Sequence, residues 1–245
     1  MNLLRAAATI SGLTLVSRIL GLVRETLVAS VYGAGALTDA FFVAFRLPNM
    51  LRRLFAEGAF TQAFVPVLAQ SQQHSPEETH RVLDAVATML FWVLTAVVTV
   101  GVLAAPWLVW MVASGLRQDP QTFSIAVLMT RWMFPYILLI SLVALAAAVL
   151  NLWKRFAVPA FAPVLLNISI ILAALFLSPY FDPPVLALAA GVMIGGVLQL
   201  LWQVPSLVRI GMLPRIRLSF WRALKDPAVQ RVMKNMAPTL LAGSV

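Results

Sequence analysis

The sequence predicts an all-α integral membrane protein, and three observations support that prediction. Of the 245 residues, 61% are hydrophobic and only 11% are charged, whereas soluble domains are roughly 45–50% apolar and about 25% charged. The mean hydropathy is +0.92. Several charge-free stretches exceed the ~20 residues that a helix needs to cross a bilayer, in which unpaired backbone groups are too costly. This composition excludes a soluble enzyme, a disordered tail and a secreted disulfide scaffold.

The two leading hydrophobic segments, residues 6–31 and 39–70, differ from the later ones because they contain charged residues. A glycine-marked turn, residues 32–38, separates them. Pro48 and Pro66 are expected to bend the second segment, because proline removes a helical hydrogen bond. We predict one membrane span from each segment.

Four further spans follow, and each is free of formal charge: residues 85–116, 132–153, 156–181 and 183–208. The second of these extends back to about Gln121, is interrupted by Arg131 and is expected to bend at Pro135. A seventh hydrophobic segment begins near Met236 and stops at Val245. That segment is too short to cross a membrane.

Basic residues are concentrated in loops that lie on one side of the membrane if the N-terminus is cytoplasmic. These loops are residues 71–84, 151–157 and 209–227, of which the last carries Arg209, Arg215, Arg217, Arg222 and Lys225. Cytoplasmic loops are enriched in Lys and Arg, so the net charge of +9 requires no nucleic-acid partner. We therefore predict a six-span lobe (1–208), a basic cytoplasmic linker against anionic lipid (209–227) and the start of a seventh helix (228–245).

Residue types that carry catalysis or hold metals are scarce. Cysteine is absent, and the two histidines, His74 and His80, lie in one polar stretch. The sequence contains no Walker loop, nucleophile elbow or HExxH motif. We predict neither an enzymatic site nor a bound metal or cofactor.

Charged residues inside the two leading spans are the main functional signal. They are Arg18, Arg24, Glu25, Asp39, Arg46, Arg52, Arg53 and Glu57. One charge at mid-membrane costs about 2.5–3.5 kcal/mol, so eight facing lipid would cost on the order of 20 kcal/mol. These side chains are therefore expected to face protein or water, which predicts a hydrophilic cavity.

Helical spacing groups the polar residues of the first span. One stripe contains Ser11, Thr14, Arg18, Gly21 and Glu25, and an adjoining stripe contains Ser17, Gly21 and Arg24. The five basic residues of the two spans are all arginine, which stays charged when desolvated and binds phosphate through two parallel N–H groups. The cavity is therefore expected to hold an anion, most naturally one that bears phosphate.

Internal ion pairing is the alternative explanation for these charges. The pairs would be Arg18 with Glu25, Asp39 with Arg46, and Arg53 with Glu57. They would leave Arg24 and Arg52 without acidic partners in this segment. Two weaker signals lie further along: a GxxxG pattern, Gly191 to Gly195, predicts close helix packing, and Asn167 is expected to bond another helix.

Long ungapped stretches that include these charges resemble a known family. They are SRILGLVRETLVASVYGAGALTDAFFVAFRLPNMLRRLFAEGAFTQAFVPVLAQ (17–70), FPYILLISLVALAAAVLNLWKRFAVPAFAPVLLNISII (134–171) and YFDPPVLALA (180–189). Over nearly its whole length the sequence resembles the N-terminal part of the MurJ (MviN) lipid II flippases. The resemblance implies the fold of the multidrug/oligosaccharidyl-lipid/polysaccharide exporter superfamily, in which two six-helix lobes face a central cavity.

The resemblance also implies a site and a mechanism. Arg18, Arg24 and Arg52 match the cationic cavity that engages the pyrophosphate of lipid II, and Asp39 matches another functionally sensitive acid. Four residues are added with less support from the family pattern: Glu25, Asn49, Arg53 and Glu57. Lipid II would move from the inner to the outer leaflet of the bacterial cytoplasmic membrane by alternating access, aided by the membrane potential or by a coupling cation bound in the second lobe.

On this resemblance, the chain supplies the first lobe and the opening of span seven, as a truncated product, an incomplete gene model or a fragment. The expected partners are lipid II, membrane lipids and the missing C-terminal lobe. Two alternatives stay open: an exporter of other substrates in the same superfamily, and an inactive fragment or membrane interaction module. We expect the isolated chain not to flip lipid, because half of the cavity wall is absent.

Overall fold

Helices account for nearly all of the described backbone, as expected where the chain must satisfy its own hydrogen bonds in lipid. The computed structural model describes residues 3–52, 59–113, 115 and 118–242. Within these ranges the helices are α1 (Leu3–Tyr32), α2 (Ala36–Arg52), α3 (Ala59–His74), α4 (Pro76–Leu103), α5 (Ala105–Val112), α6 (Pro120–Met133), α7 (Tyr136–Leu152), α8 (Ala157–Leu172), α9 (Leu186–Arg209), α10 (Phe220–Leu224) and α11 (Pro227–Ala242). A π-helical turn (Ala173–Leu177) and a 3₁₀ turn (Ser178–Tyr180) follow α8. The predicted all-α class is confirmed.

Helix boundaries follow local capping chemistry. At the start of α4, the backbone N–H of Glu78 donates to the Ser75 hydroxyl at 3.1 Å, and Pro76 occupies the first turn, where its missing N–H costs nothing. Asp119 caps α6 in the same way by accepting from the backbone N–H of Gln121 at 3.1 Å. These caps fix the residues at which α4 and α6 begin.

Within the described ranges, five helical segments are long and apolar enough to cross a membrane: Ala7–Tyr32, Pro76–Leu103, Pro120–Leu152, Ala157–Tyr180 and Leu186–Arg209. The third joins α6 and α7 across Phe134 and Pro135, at the proline where a bend is expected. The predicted span 85–116 instead begins at Pro76 and ends at Leu103, and the short helix α5 follows it. Residues 39–70 form α2 and α3, between which residues 53–58 lie outside the described part, so the predicted count of six spans stays a prediction.

Close packing of α8 against α9 depends on glycine. A Cβ added at Gly191 would lie 2.7 Å from the Ala173 Cβ, and one added at Gly195 would lie 2.8 Å from the Leu166 Cδ1. Both distances are shorter than real Cβ contacts, so any larger residue would force the neighbouring atoms to shift. The packing role predicted for the GxxxG pattern is confirmed.

The first helix lies at the edge of the lobe and packs chiefly against α8. None of its apolar window is buried within the described chain. Leu15 and Leu22 are 60% and 67% exposed, although both are large and apolar. At its C-terminal end the Tyr32 hydroxyl forms a hydrogen bond with the Ser178 hydroxyl. Helix α1 is therefore attached to the lobe along one side only.

The connector, residues 210–219, crosses one end of α4 and is bound there by a ladder of polar contacts. The backbone N–H of Arg215 donates to Asp84 Oδ1 at 2.8 Å, and that of Arg217 donates to Thr88 Oγ1 at 3.0 Å. The Trp92 indole donates to the Arg217 carbonyl at 3.0 Å. Because Asp84, Thr88 and Trp92 are spaced by four, they share one face of α4. We call this set of contacts the connector clamp.

Beyond the connector, the chain returns to the lobe. Helix α11 begins at Pro227 and packs against α3 and α4, where Val229 and Val232 are buried in the same apolar cluster as Phe64 and Leu83. The predicted boundaries at residues 208 and 227 stay predictions, although α10 lies inside the predicted linker.

Candidate functional site

Arg24 is held in place by a neutral amide from another helix. Its Nη1 donates to Asn167 Oδ1 at 2.9 Å, a contact between α1 and α8. Its Nη2 donates to Glu25 Oε1 at 3.2 Å. The Arg24 side chain is 23% exposed, whereas that of Glu25 is 62% exposed. The guanidinium is therefore half-buried, with a neutral partner on the protein side and a solvated carboxylate on the other.

Asn167 also binds the backbone of α1. The residue is buried, and its Nδ2 donates to the Ser17 carbonyl at 3.0 Å, with the Ser17 hydroxyl at 3.4 Å. A Cβ placed at Gly21 would lie 3.9 Å from Asn167 Nδ2, so the two helices approach closely here. The stripe Ser17, Gly21 and Arg24 therefore faces α8, and the predicted bond from Asn167 to another helix is confirmed.

A cavity of about 360 Å³ lies beside Arg24. Its polar lining consists of Arg24, Asn49, Asn167 and Gln199, and its remaining wall is mainly apolar, with Phe45, Tyr136, Ile140, Pro159 and Leu166 among the lining residues. Gln199 is internally bonded, since its Nε2 donates to the Ala162 carbonyl at 3.0 Å. Among the described residues that line the cavity, Arg24 is the only charged one, and it forms a cationic corner.

The other predicted site residues are distributed around this cavity or outside it. Arg18 is exposed on α1. Asp39 is exposed in the first turn of α2, where a carboxylate also stabilises the positive end of the helix dipole. Asn49 lines the cavity. Arg53 and Glu57 lie outside the described residues, as does the side chain of Arg52.

Internal ion pairing of the charges in the two leading segments is observed only in part. Among the described side chains, neither Arg18 with Glu25 nor Asp39 with Arg46 forms an ion pair within 4 Å. Arg24 does have an acidic neighbour, Glu25, so the inference that it would lack one is wrong. The sequence argument missed this pair because adjacent helical residues point apart, yet the long arginine side chain reaches across. In the described chain, no cluster of three or more metal-ligand side chains is found.

An all-helical lobe built from long apolar helices defines a class of integral membrane proteins. The sequence profile described as "Lipid II flippase MurJ" matches residues 28–245. The chain belongs to the MurJ lipid II flippase family.

Individual relatives agree with that assignment. The "Lipid II flippase MurJ" of Burkholderia cenocepacia is 54% identical over 246 residues, which cover 100% of this chain and 48% of that protein. The "Probable lipid II flippase MurJ" of Vibrio cholerae is 43% identical and is covered over 47% of its length. A solved structure, "Lipid II flippase MurJ, inward closed conformation", has a TM-score of 0.74 at 26% identity, with 93% of this chain and 46% of that chain covered. The chain therefore spans about half the length of the curated relatives it matches.

Proposed function

We propose that this chain forms the first lobe of a flippase that moves lipid II from the inner to the outer leaflet of the bacterial cytoplasmic membrane. The relatives' names support the substrate. The observation that carries the proposal is the half-buried Arg24 guanidinium beside the cavity, held by the neutral Asn167. Such a cation suits a diphosphate, whose oxygens accept two parallel N–H groups.

The proposed mechanism is alternating access. The cavity opens inward, the anionic headgroup enters between two lobes, and the lobes rock to open outward while the lipid tail stays in the bilayer. A membrane potential of 100 mV would contribute about 2.3 kcal/mol for each cavity charge that crosses the whole membrane. No covalent bond is made or broken, so this proposal describes transport and not catalysis.

The test uses the full-length protein in liposomes that contain lipid II. Arg24→Ala is expected to reduce translocation at least about tenfold, because it removes a charge-assisted phosphate contact. Arg24→Lys is expected to fail as well, because lysine lacks the planar fork. Arg18→Ala and Arg52→Ala test the other two proposed cations.

Arg131→Ala is the matched control, since Arg131 is an exposed arginine in another span and does not line the cavity. Membrane insertion of every variant is measured beside transport. Wild-type translocation by both the Arg24→Ala and Arg52→Ala variants would eliminate the phosphate-binding role. Binding of cationic dyes in preference to lipid II would instead favour an exporter of other substrates.

We also propose that the N-terminus is cytoplasmic. The basic residues of the connector and of α10 support this orientation, because cytoplasmic loops are enriched in Lys and Arg. Leu218 in the connector and Trp221 in α10 are 90% and 70% exposed and suit a lipid interface. The chain lacks cysteine, so single cysteines can report sidedness in a cysteine-free background. An impermeant thiol reagent added outside cells is expected to label Tyr180→Cys but not Gln73→Cys, and the reverse pattern would invert the topology.

A further inference from the structure

A buried amide in an apolar span is costly unless both of its ends are bonded. Asn167 lies within the apolar segment Ala157–Tyr180 and is buried. Its oxygen accepts from Arg24, and its nitrogen donates to the Ser17 carbonyl. One side chain of α8 thereby binds both a backbone group and a charged group of α1.

These contacts matter because α1 packs chiefly against α8, the helix that carries Asn167. No part of the apolar window of α1 is buried within the described chain. Asn167 and Ser178 each make a polar contact with α1, and Ser178 does so at the C-terminal end of the helix. Asn167 is thus a polar attachment of α1 close to Arg24.

The chemistry of the amide also matters. A carboxylate at this position would bind Arg24 and cancel its charge, whereas an amide accepts the same N–H without neutralising the guanidinium. The acidic neighbour, Glu25, is 62% exposed, so water weakens its compensation. Among the described residues, Arg24 thus lines the cavity with a neutral partner on α8 and a solvent-exposed carboxylate as its acidic neighbour.

We propose that Asn167 is a positioning residue that aims Arg24 at a phosphate-bearing guest while leaving its charge available. This inference rests on the proposed lipid II site and extends it to a residue on a different helix. Asn167 acts through Arg24, so its effect on binding depends on the presence of that arginine.

The experiment is a double-mutant cycle for lipid II affinity in the full-length protein. Asn167→Ala is expected to weaken binding about tenfold, the value of one lost hydrogen bond to a charged group. In the Arg24→Ala background, the same substitution is expected to add little. A purely structural asparagine would instead give two additive losses.

Asn167→Asp is a second, nearly isosteric variant that keeps the contact with Arg24. It is expected to weaken lipid II binding more than Asn167→Ala at low salt, because the added charge cancels the guanidinium. That difference is expected to shrink as salt screens it. Gln203→Ala is the control, because Gln203 is also a buried amide but donates to the Val143 carbonyl and does not line the cavity.

The outcomes separate this inference from the proposed function. Wild-type affinity in Asn167→Ala, or additive losses in the cycle, would overturn the positioning role even if Arg24→Ala abolishes binding. Unchanged affinity in Arg24→Ala would overturn the phosphate site itself. Thermal unfolding of each variant is measured in parallel, and a loss of affinity in Gln203→Ala as large as in Asn167→Ala would also contradict the positioning role.

Discussion

Two arginines of this chain have opposite surroundings. Arg24 is 23% exposed and bonded to the buried neutral amide of Asn167, while its carboxylate neighbour Glu25 is 62% exposed. In the connector clamp the exposure is inverted, since Arg217 is 68% exposed and its partner Asp84 only 8%. At the first site the less exposed partner is the cation, Arg24, and at the second it is the carboxylate, Asp84. The first arrangement places a guanidinium beside a cavity, whereas the second binds the connector to α4.

The largest effect on stability is expected at the buried carboxylate. Asp84→Ala removes the acceptor of the Arg215 backbone N–H and the partner of the Arg217 guanidinium. We expect the free energy of unfolding to fall by about 3 kcal/mol, as for the loss of hydrogen bonds to a buried charge. Chemical denaturation in detergent measures this loss. Lipid II affinity is expected to be unchanged, and a fall comparable with that of Arg24→Ala would break the distinction between the two regions.

A somewhat smaller effect is expected where α8, which carries Asn167, packs on α9. Gly195→Val places carbon atoms within about 3 Å of Leu166, the neighbour of Asn167. Overpacking of this kind costs about 1–3 kcal/mol and shifts the backbone. We expect both a lower unfolding midpoint and weaker lipid II binding, measured on the same preparation. Gly12→Ala, at a position with open space around it, is the control and is expected to change neither.

Arg217→Ala is expected to have a small effect, under about 1 kcal/mol, because an exposed partner contributes little to an ion pair. In this variant the Arg215 backbone N–H would still donate a hydrogen bond to the Asp84 carboxylate. The free energy of unfolding is compared with that of Asp84→Ala under the same conditions. An equal loss in both variants would mean that the guanidinium, and not the backbone N–H, holds the connector.

The smallest effect is expected at Asp119, a capping carboxylate far from both regions. Its hydrogen bond from Thr122, with help from the backbone N–H of Gln121, lowers the pKa of this carboxyl below its ordinary value. A lowered pKa gives stability that is present above the unfolded-state pKa and is lost as pH falls through the folded-state pKa. Asp119→Asn is therefore expected to unfold slightly earlier at neutral pH, with the difference vanishing in acid, as thermal scans across pH would show.

Sequence reasoning succeeded where the physics is local or compositional. The apolar runs at residues 6–31 and 183–208 predicted spans that the structure places at Ala7–Tyr32 and Leu186–Arg209, and the GxxxG pattern predicted the contact at Gly195. It was less accurate where the helix start depends on capping, since the helix predicted for residues 85–116 begins at Pro76, directly after the Ser75 cap. The charged residues in the first turns of this helix made that stretch resemble a polar loop, so the predicted start came too late.

The sequence by itself determined that the protein is helical and membrane-embedded. It also determined that arginines lie within the leading apolar segments, where contact with lipid would be energetically costly. These properties follow from the cost of placing charge and unpaired backbone in hydrocarbon, which composition alone reveals. The tertiary structure decided which groups those arginines meet. Arg24 and Asn167 are 143 residues apart, and only the close approach of α1 to α8 at Gly21 brings them together. A hydrogen bond depends on distance and angle, and these are set by packing between helices that no local pattern specifies.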